Sequence, residues 1–147
     1  MILGSEWGVS ADVWSVTSWV ELRRDGLAAE KHNFLHPDEQ PQVPYVTRKL
    51  ADASGPVIAS TDYIKQYAEQ IRPFLPPGRI YKVLGTDGFG RSDFRTKLRE
   101  HFEVDRHYIV VAALKALADE GRIGAEKAAE AIRRYRINAD KINPLYA

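Results

Sequence analysis

Two short runs that contain β-branched residues constrain the fold of this chain more than any other feature. Each run is followed by a turn and then by a stretch with helical periodicity. The runs are Pro56–Ser60 and Ile80–Leu84. After the first run, apolar residues recur with the three- and four-residue spacing of a helix face, at Ile64, Tyr67, Ala68 and Ile71. This alternation of strand and helix predicts an α/β fold with a mostly parallel sheet.

A third strand is predicted near the start of the chain. The stretch Val13–Val20 is rich in β-branched and aromatic residues, which favour a buried strand. A short helical or loop piece is expected after it, at Glu21–Leu27. Three strands form a thin sheet. No linker divides the sequence, so residues 1–147 are interpreted as a single domain.

Side chains that accept amide hydrogen bonds indicate where the helices begin. The candidate caps are Thr61 or Asp62, Ser92 or Asp93, and Asp105. Gly121 is expected to end the helix that Asp105 begins, because glycine adopts the left-handed conformation common at helix ends. A last helix is predicted at Ala125–Tyr135.

The composition excludes several classes of protein. The 21 Lys and Arg residues nearly balance the 20 Asp and Glu residues, giving a net charge of +1. A nucleic-acid-binding domain usually has a strong basic excess, so no nucleic-acid partner is expected. The absence of cysteine excludes disulfides and thiolate chemistry and fits a reducing cytoplasm. No apolar run reaches the roughly 20 residues that span a bilayer, so no membrane role is expected.

A glycine-rich loop follows the second predicted strand directly. Its spacing is G-x-x-G-x-G from Gly85 to Gly90, which differs from both the dinucleotide-binding and the P-loop patterns. A loop between a strand and a helix could bind a phosphate through its backbone amides. The alternative is a tight turn that uses glycine for its backbone freedom.

Two other clusters were weighed as sites. His32 and His36 are four residues apart, as metal ligands on one helix face would be, but no third ligand has supporting spacing. Ser60–Asp62 lies at the predicted end of a strand, where α/β proteins often bind ligands. An ordinary helix cap is the favoured interpretation of Ser60–Asp62.

Several segments in register resemble one family. They are Ala11–Trp19, Glu21–Gly26, Leu35–Pro37, Val43–Val46, Ala59–Tyr63, Val83–Asp93, His101–Asp105, Ile137–Lys141 and Asn143–Pro144. Together they resemble the C-terminal region of the homodimeric first component of bacterial pyruvate dehydrogenase complexes, within the transketolase superfamily. The resemblance covers nearly the whole chain.

The resemblance implies a three-layer α/β/α sandwich like the transketolase C-terminal domain. It implies a full-length enzyme that uses thiamine diphosphate and magnesium to decarboxylate pyruvate and acetylates a lipoyl group. The implied partners are the rest of the subunit, a second copy, and the dihydrolipoyl acetyltransferase component. The family's G-D-G diphosphate motif has no match here, so no catalytic, cofactor-binding or metal residue is expected within these residues.

The resemblance also implies a structural or interface role for the loop after the second predicted strand. The residues expected to serve it are Gly85, Asp87, Gly88, Phe89, Gly90, Arg91, Ser92 and Asp93. A competing hypothesis is a free-standing anion- or nucleotide-binding regulatory module.

The family implies a further strand and helix upstream of Trp7, so the chain is expected to be truncated within its domain and to lack the first strand. An unpaired edge near Val13–Val20 would then favour homodimerisation or low solubility.

Overall fold

Two parallel strands form the centre of the protein. The computed structural model describes all residues from Met1 to Ala147. Strand β1 (Val57–Ser60) pairs with β2 (Tyr81–Leu84) so that Val57 lies opposite Tyr81 and Ser60 opposite Leu84. The chain between them crosses over through helix α4 (Lys65–Glu69) and a 3₁₀ turn at Arg72–Phe74.

One face of the sheet is covered by three helices from the first half of the chain. They are α2 (Trp19–Leu35), α3 (Tyr45–Leu50) and α4. Ala59 is paired with Val83, and paired residues on neighbouring strands point to the same face of the sheet. There they join one buried cluster with Val46 of α3 and Ala68 of α4.

The opposite face is covered by α1 (Ile2–Trp7), α6 (Arg106–Asp119) and α7 (Ala125–Arg134). Leu3, Val110 and Leu114 form its principal cluster, and Ile58 of β1 packs against it. Leu84 of β2 lies on this face in a smaller cluster with Val104. Helix α5 (Arg95–His101) precedes α6. The predicted α/β fold and its three-layer arrangement are therefore confirmed.

The predicted strand at Val13–Val20 is wrong. Ser10–Thr17 forms neither strand nor helix, and α2 begins at Trp19 and continues for 17 residues. Helix α2 begins there because Ser18 is its N-cap: Ser18 Oγ accepts a hydrogen bond from the Glu21 amide at 3.2 Å. The predicted piece at Glu21–Leu27 is thus the interior of a longer helix.

The predicted helix caps were confirmed only in part. The Asp105 carboxylate accepts hydrogen bonds from the amides of His107 and Tyr108 at 2.8 and 2.9 Å. Gly121 follows α6 with φ of 71°. The other caps are wrong: α4 and α5 start after Ile64 and Phe94, neither of which provides a side-chain cap.

Only two of the four residues in the predicted apolar stripe after β1 are buried. In α4 and the residues after it, Ala68 and Ile71 are buried, whereas Ile64 and Tyr67 are exposed. The helix is only five residues long, so a stripe spanning two turns cannot all face the sheet. None of the helices combines the length and apolar character that crossing a membrane requires.

Tyr81 links the sheet to α4. Its hydroxyl donates a hydrogen bond to the Ala68 carbonyl at 2.8 Å. Burial, reinforced by the nearby Glu69 carboxylate, raises the pKa of Tyr81 above its usual value. The neutral hydroxyl is therefore favoured in the folded state.

Replacing Tyr81 by Phe is expected to lower the free energy of unfolding by about 0.5–1.5 kcal/mol, because the Ala68 carbonyl loses its shorter hydrogen bond and keeps the one from the Ile71 amide at 3.4 Å. In the unfolded wild type, tyrosine ionises near pH 10. Ionisation favours the unfolded chain above that pH, so stability falls as pH rises.

The Tyr81→Phe variant should lose less stability above pH 10 than the wild type. Some dependence should remain, because burial raises the pKa of Tyr108 to about 12. Urea unfolding measured across this pH range tests the prediction, with exposed Tyr67→Phe as the control. Equal slopes for wild type and Tyr81→Phe would contradict it.

Candidate functional site

The glycine loop and the end of β1 meet at one edge of the sheet. Strands β1 and β2 are parallel, so their carboxyl ends lie side by side. Thr86 joins the two: its amide donates to the Tyr63 carbonyl and its hydroxyl donates to the Asp62 carbonyl, both at 2.9 Å. The sequence had suggested Ser60–Asp62 and the glycine loop, Gly85–Asp93, as separate sites, and the structure makes them neighbours.

Asp87 holds the glycine loop to the start of α4. Its Oδ1 accepts a hydrogen bond from the Lys65 amide at 2.8 Å, and its Oδ2 lies 3.7 Å from Lys65 Nζ. A carboxylate at the amino end of a helix is favoured by the free amides and by the helix dipole. Asp87 thus occupies the position that a bound anion would take at this helix start.

Two glycines allow close contacts that a side chain would prevent. A Cβ at Gly85 would lie 2.8 Å from the Lys65 nitrogen and from the Tyr63 carbonyl oxygen. Gly88 has φ of 115°, and a Cβ there would lie 2.3 Å from the Pro144 carbonyl oxygen. The loop therefore packs closely against the α4 start on one side and against the C-terminal 3₁₀ turn, Pro144–Tyr146, on the other.

The far half of the loop faces solvent. The side chains of Arg91, Ser92 and Asp93 are exposed. Phe89 is 78% exposed and Phe94 is 82% exposed. Exposed aromatic side chains, here one in the loop and one directly after it, are typical of a contact surface.

A polar groove of about 1190 Å³ runs from the end of β1 past α5 and the start of α6. Its charges are largely paired within the chain. Arg99 Nη2 lies 3.4 Å from Asp62 Oδ2, and Lys141 Nζ lies 3.6 Å from Glu103 Oε1. His101 Nε2 is buried in the groove wall and has no hydrogen-bond partner.

The two histidines at the end of α2 stack on each other. The rings of His32 and His36 stack with centroids 4.4 Å apart, and His32 Nε2 lies 3.4 Å from Glu39 Oε2. His36 Nδ1 is 3.0 Å from the His32 carbonyl oxygen. No three histidine, aspartate or glutamate side chains lie close enough together to hold a metal ion.

A magnesium–diphosphate group does not fit the residues at the sheet edge. Oxygen ligands from several side chains hold magnesium together with phosphate. Asp87 is the carboxylate in the loop's inner half, and it is engaged with Lys65. We therefore derive no chemical step through such a group from these residues.

Sequence reasoning missed two features of this site. One is the Asp87 contact with α4, and the other is the turn at Pro144 that closes over Gly88. Both join residues far apart in the chain, so no local pattern reveals them. Asn143 before Pro144 was an available signal, since its side chain caps the final turn by accepting from the Leu145 amide at 2.9 Å.

A family profile, the transketolase-like TK C-terminal domain, matches residues 2–105. The three layers and the parallel strand pair agree with that match. The chain belongs to the transketolase C-terminal domain family.

Relatives with similar sequences are pyruvate dehydrogenase E1 components. The chain is 60% identical to the component of Pseudomonas aeruginosa and 56% identical to that of Cupriavidus necator, each over 98% of its length. It is 54% identical to the component of Escherichia coli over 99% of its length. In each case the chain spans only 16% of the relative.

Substituting Gly88 by Ala is expected to destabilise the protein by about 1–3 kcal/mol, because the new methyl group meets the Pro144 carbonyl and the backbone is strained. Gly90→Ala is the matched control, since a Cβ at Gly90 meets nothing within 4 Å. Thermal unfolding of both variants tests the prediction. Equal losses of stability would show that the Gly88 contact does not hold the loop.

Proposed function

We propose that this chain serves as the C-terminal domain of a pyruvate dehydrogenase component. That enzyme would decarboxylate pyruvate and transfer an acetyl group to the lipoyl group of a dihydrolipoyl acetyltransferase. The observation that carries the proposal is identity of 54–60% to pyruvate dehydrogenase E1 components along 98–99% of the chain. Thiamine diphosphate and magnesium would be bound by other parts of the subunit.

The role of the chain within that enzyme would be structural. Its loop polar groups and glycines are used to lock the loop to α4 and to the C-terminal turn. The outer surface, with Phe89 and Phe94, is exposed and available for contacts. We assign the glycine loop to contacts with the rest of the subunit or with a second copy in a homodimer, in the cytoplasm.

A chimera tests the proposed function most directly. The aligned 16% of the Pseudomonas aeruginosa component is replaced by this chain. The chimera should release carbon dioxide from pyruvate with thiamine diphosphate and magnesium present. A deletion of the same stretch should lose both activity and the dimer. A folded, dimeric chimera without activity would contradict the proposal.

The 147-residue chain by itself should produce no carbon dioxide under the same conditions. Inorganic phosphate and diphosphate should also leave the amide signals of the glycine loop unchanged, because Asp87 already occupies the α4 start. Turnover by the isolated chain would refute the structural role. Saturable phosphate binding at the loop would favour a separate binding module.

The contact role of the loop is tested in the chimera with Phe89→Asp. Burying a carboxylate in an apolar contact should weaken dimerisation by at least about tenfold, equivalent to about 1.4 kcal/mol. Phe34→Asp is the control, because Phe34 is equally exposed but lies on α2. Sedimentation across a range of concentrations measures both. Equal effects from the two variants would remove the loop from the interface.

A further inference from the structure

Residues 138–147 form a strap that lies against the α5 end and the glycine loop. Every residue of this strap is exposed except two: Lys141 is partly buried and Pro144 is buried. The strap is therefore held to the rest of the protein mainly at these two positions, and each of them contacts residues far away in the sequence.

Lys141 holds the strap to the end of α5. Its Nζ donates a hydrogen bond to the Glu100 carbonyl at 3.1 Å and another to the His101 carbonyl. The last carbonyls of a helix have no partner inside the helix, so a cation there satisfies them and complements the helix dipole. The same ammonium lies over the Tyr108 ring, 5.9 Å from its centroid. Lys141 thus contacts both α5 and α6.

The backbone after α5 also favours this contact. Glu103 has φ of 61°, in the left-handed region where glycine is the usual residue at a helix end. Glutamate is less favourable for the backbone here than glycine, but it supplies a carboxylate. That carboxylate faces the strap, with Glu103 Oε1 3.6 Å from Lys141 Nζ. The ammonium therefore lies among three oxygen atoms from the α5 end.

The second anchor of the strap lies at the glycine loop. The Pro144 carbonyl is so close to Gly88 that a side chain at that glycine would collide with it. Asn143 fixes the turn that presents Pro144. Its side chain accepts a hydrogen bond from the Leu145 amide at 2.9 Å, and its carbonyl accepts one from the Tyr146 amide at 2.8 Å.

The two anchors hold opposite ends of one stretch of chain. This stretch, residues 88–101, comprises the outer half of the glycine loop and α5, and it carries the exposed Phe89 and Phe94. Two residues separate Lys141 from Pro144, so their Cα atoms are no more than about 11 Å apart. The strap therefore joins the two ends of the stretch that carries the exposed aromatic side chains.

We infer that Lys141 is a positioning residue, through which the strap holds the surface with Phe89 and Phe94 in place. Its ammonium fixes one end of the strap, and Pro144 then holds the glycine loop. A surface that is held rigid before it makes a contact loses less conformational entropy when the contact forms. The contact role of this surface rests on the proposed function, whereas the strap itself does not.

The Lys141→Met variant of the 147-residue chain tests the strap, because methionine keeps an apolar stem and lacks the ammonium. Native-state hydrogen exchange of the Leu145 and Tyr146 amides should become at least about tenfold faster, since both belong to the turn that Lys141 anchors. The Val57 and Thr61 amides, which join the two strands, should keep their wild-type rates.

Two further variants serve as controls. Lys127→Met removes a lysine whose carboxylate partner, Glu130, is on the same helix at 4.0 Å, so the strap amides should be unaffected. Lys141→Arg should restore most of the protection, because arginine keeps the charge and also donates to carbonyls at helix ends.

Three exchange results would overturn the strap. One is wild-type rates for Leu145 and Tyr146 in Lys141→Met. Another is an equal acceleration in Lys127→Met. The third is acceleration of Val57 and Thr61 by the same factor, which would show that Lys141 supports the whole fold and not the strap.

The chimera tests what the strap does for the contact surface. Lys141→Met should weaken dimerisation several-fold, in the same direction as Phe89→Asp, and Lys141→Arg should restore it. Unchanged dimerisation in Lys141→Met, with Phe89→Asp still weakening it, would overturn the positioning role. A wild-type chimera that neither dimerises nor releases carbon dioxide would contradict the proposed function alone, because exchange in the 147-residue chain reports on the strap directly.

Discussion

The parallel pairing of β1 and β2 is the constraint on which the rest of the structure depends. It brings the carboxyl ends of both strands to one edge, where Thr86 hydrogen-bonds to the residues that follow β1. Pairing also presents two sheet faces, and each is covered by helices that could not bury their apolar sides alone. Two short strands contribute few residues to the core. The helices that cover them therefore supply most of the buried surface.

The glycine loop forms a fixed surface at that edge of the sheet. Asp87 anchors the loop to α4, and Gly88 allows the C-terminal turn to lie against it. Residues distant in sequence thereby fix a loop whose outer aromatic side chains are free. The same division, polar groups inward and aromatic groups outward, suits a domain that contacts other protein surfaces.

Local patterns predicted the fold class, both paired strands and the α6 start, because these depend on residues near one another in the chain. Val57–Ser60 and Tyr81–Leu84 are short, largely apolar runs close to turn residues, and Asp105 caps its own helix. Val13–Val20 failed for a physical reason: high β-propensity is insufficient where no neighbouring strand supplies hydrogen bonds. The N-cap at Ser18 then sets the start of the helix that follows, at Trp19.

The sequence predicted where the site lies but not which residues contact one another there. The glycine spacing indicated the loop, and the strand ends indicated the edge. The Asp87 contact joins residues 22 positions apart, and the Gly88 contact reaches the last turn of the chain. Family resemblance supplied the functional context, since no constellation of catalytic side chains in the sequence did.

Native-state hydrogen exchange of the Lys65 and Thr86 amides tests the central claim, that the glycine loop is locked to the sheet edge. The Val57 and Thr61 amides, which join β1 to β2, provide the reference. We predict that Lys65 and Thr86 exchange as slowly as this reference pair. Exchange of Lys65 and Thr86 at the rates of an unstructured peptide, with Val57 and Thr61 still protected, would contradict the account.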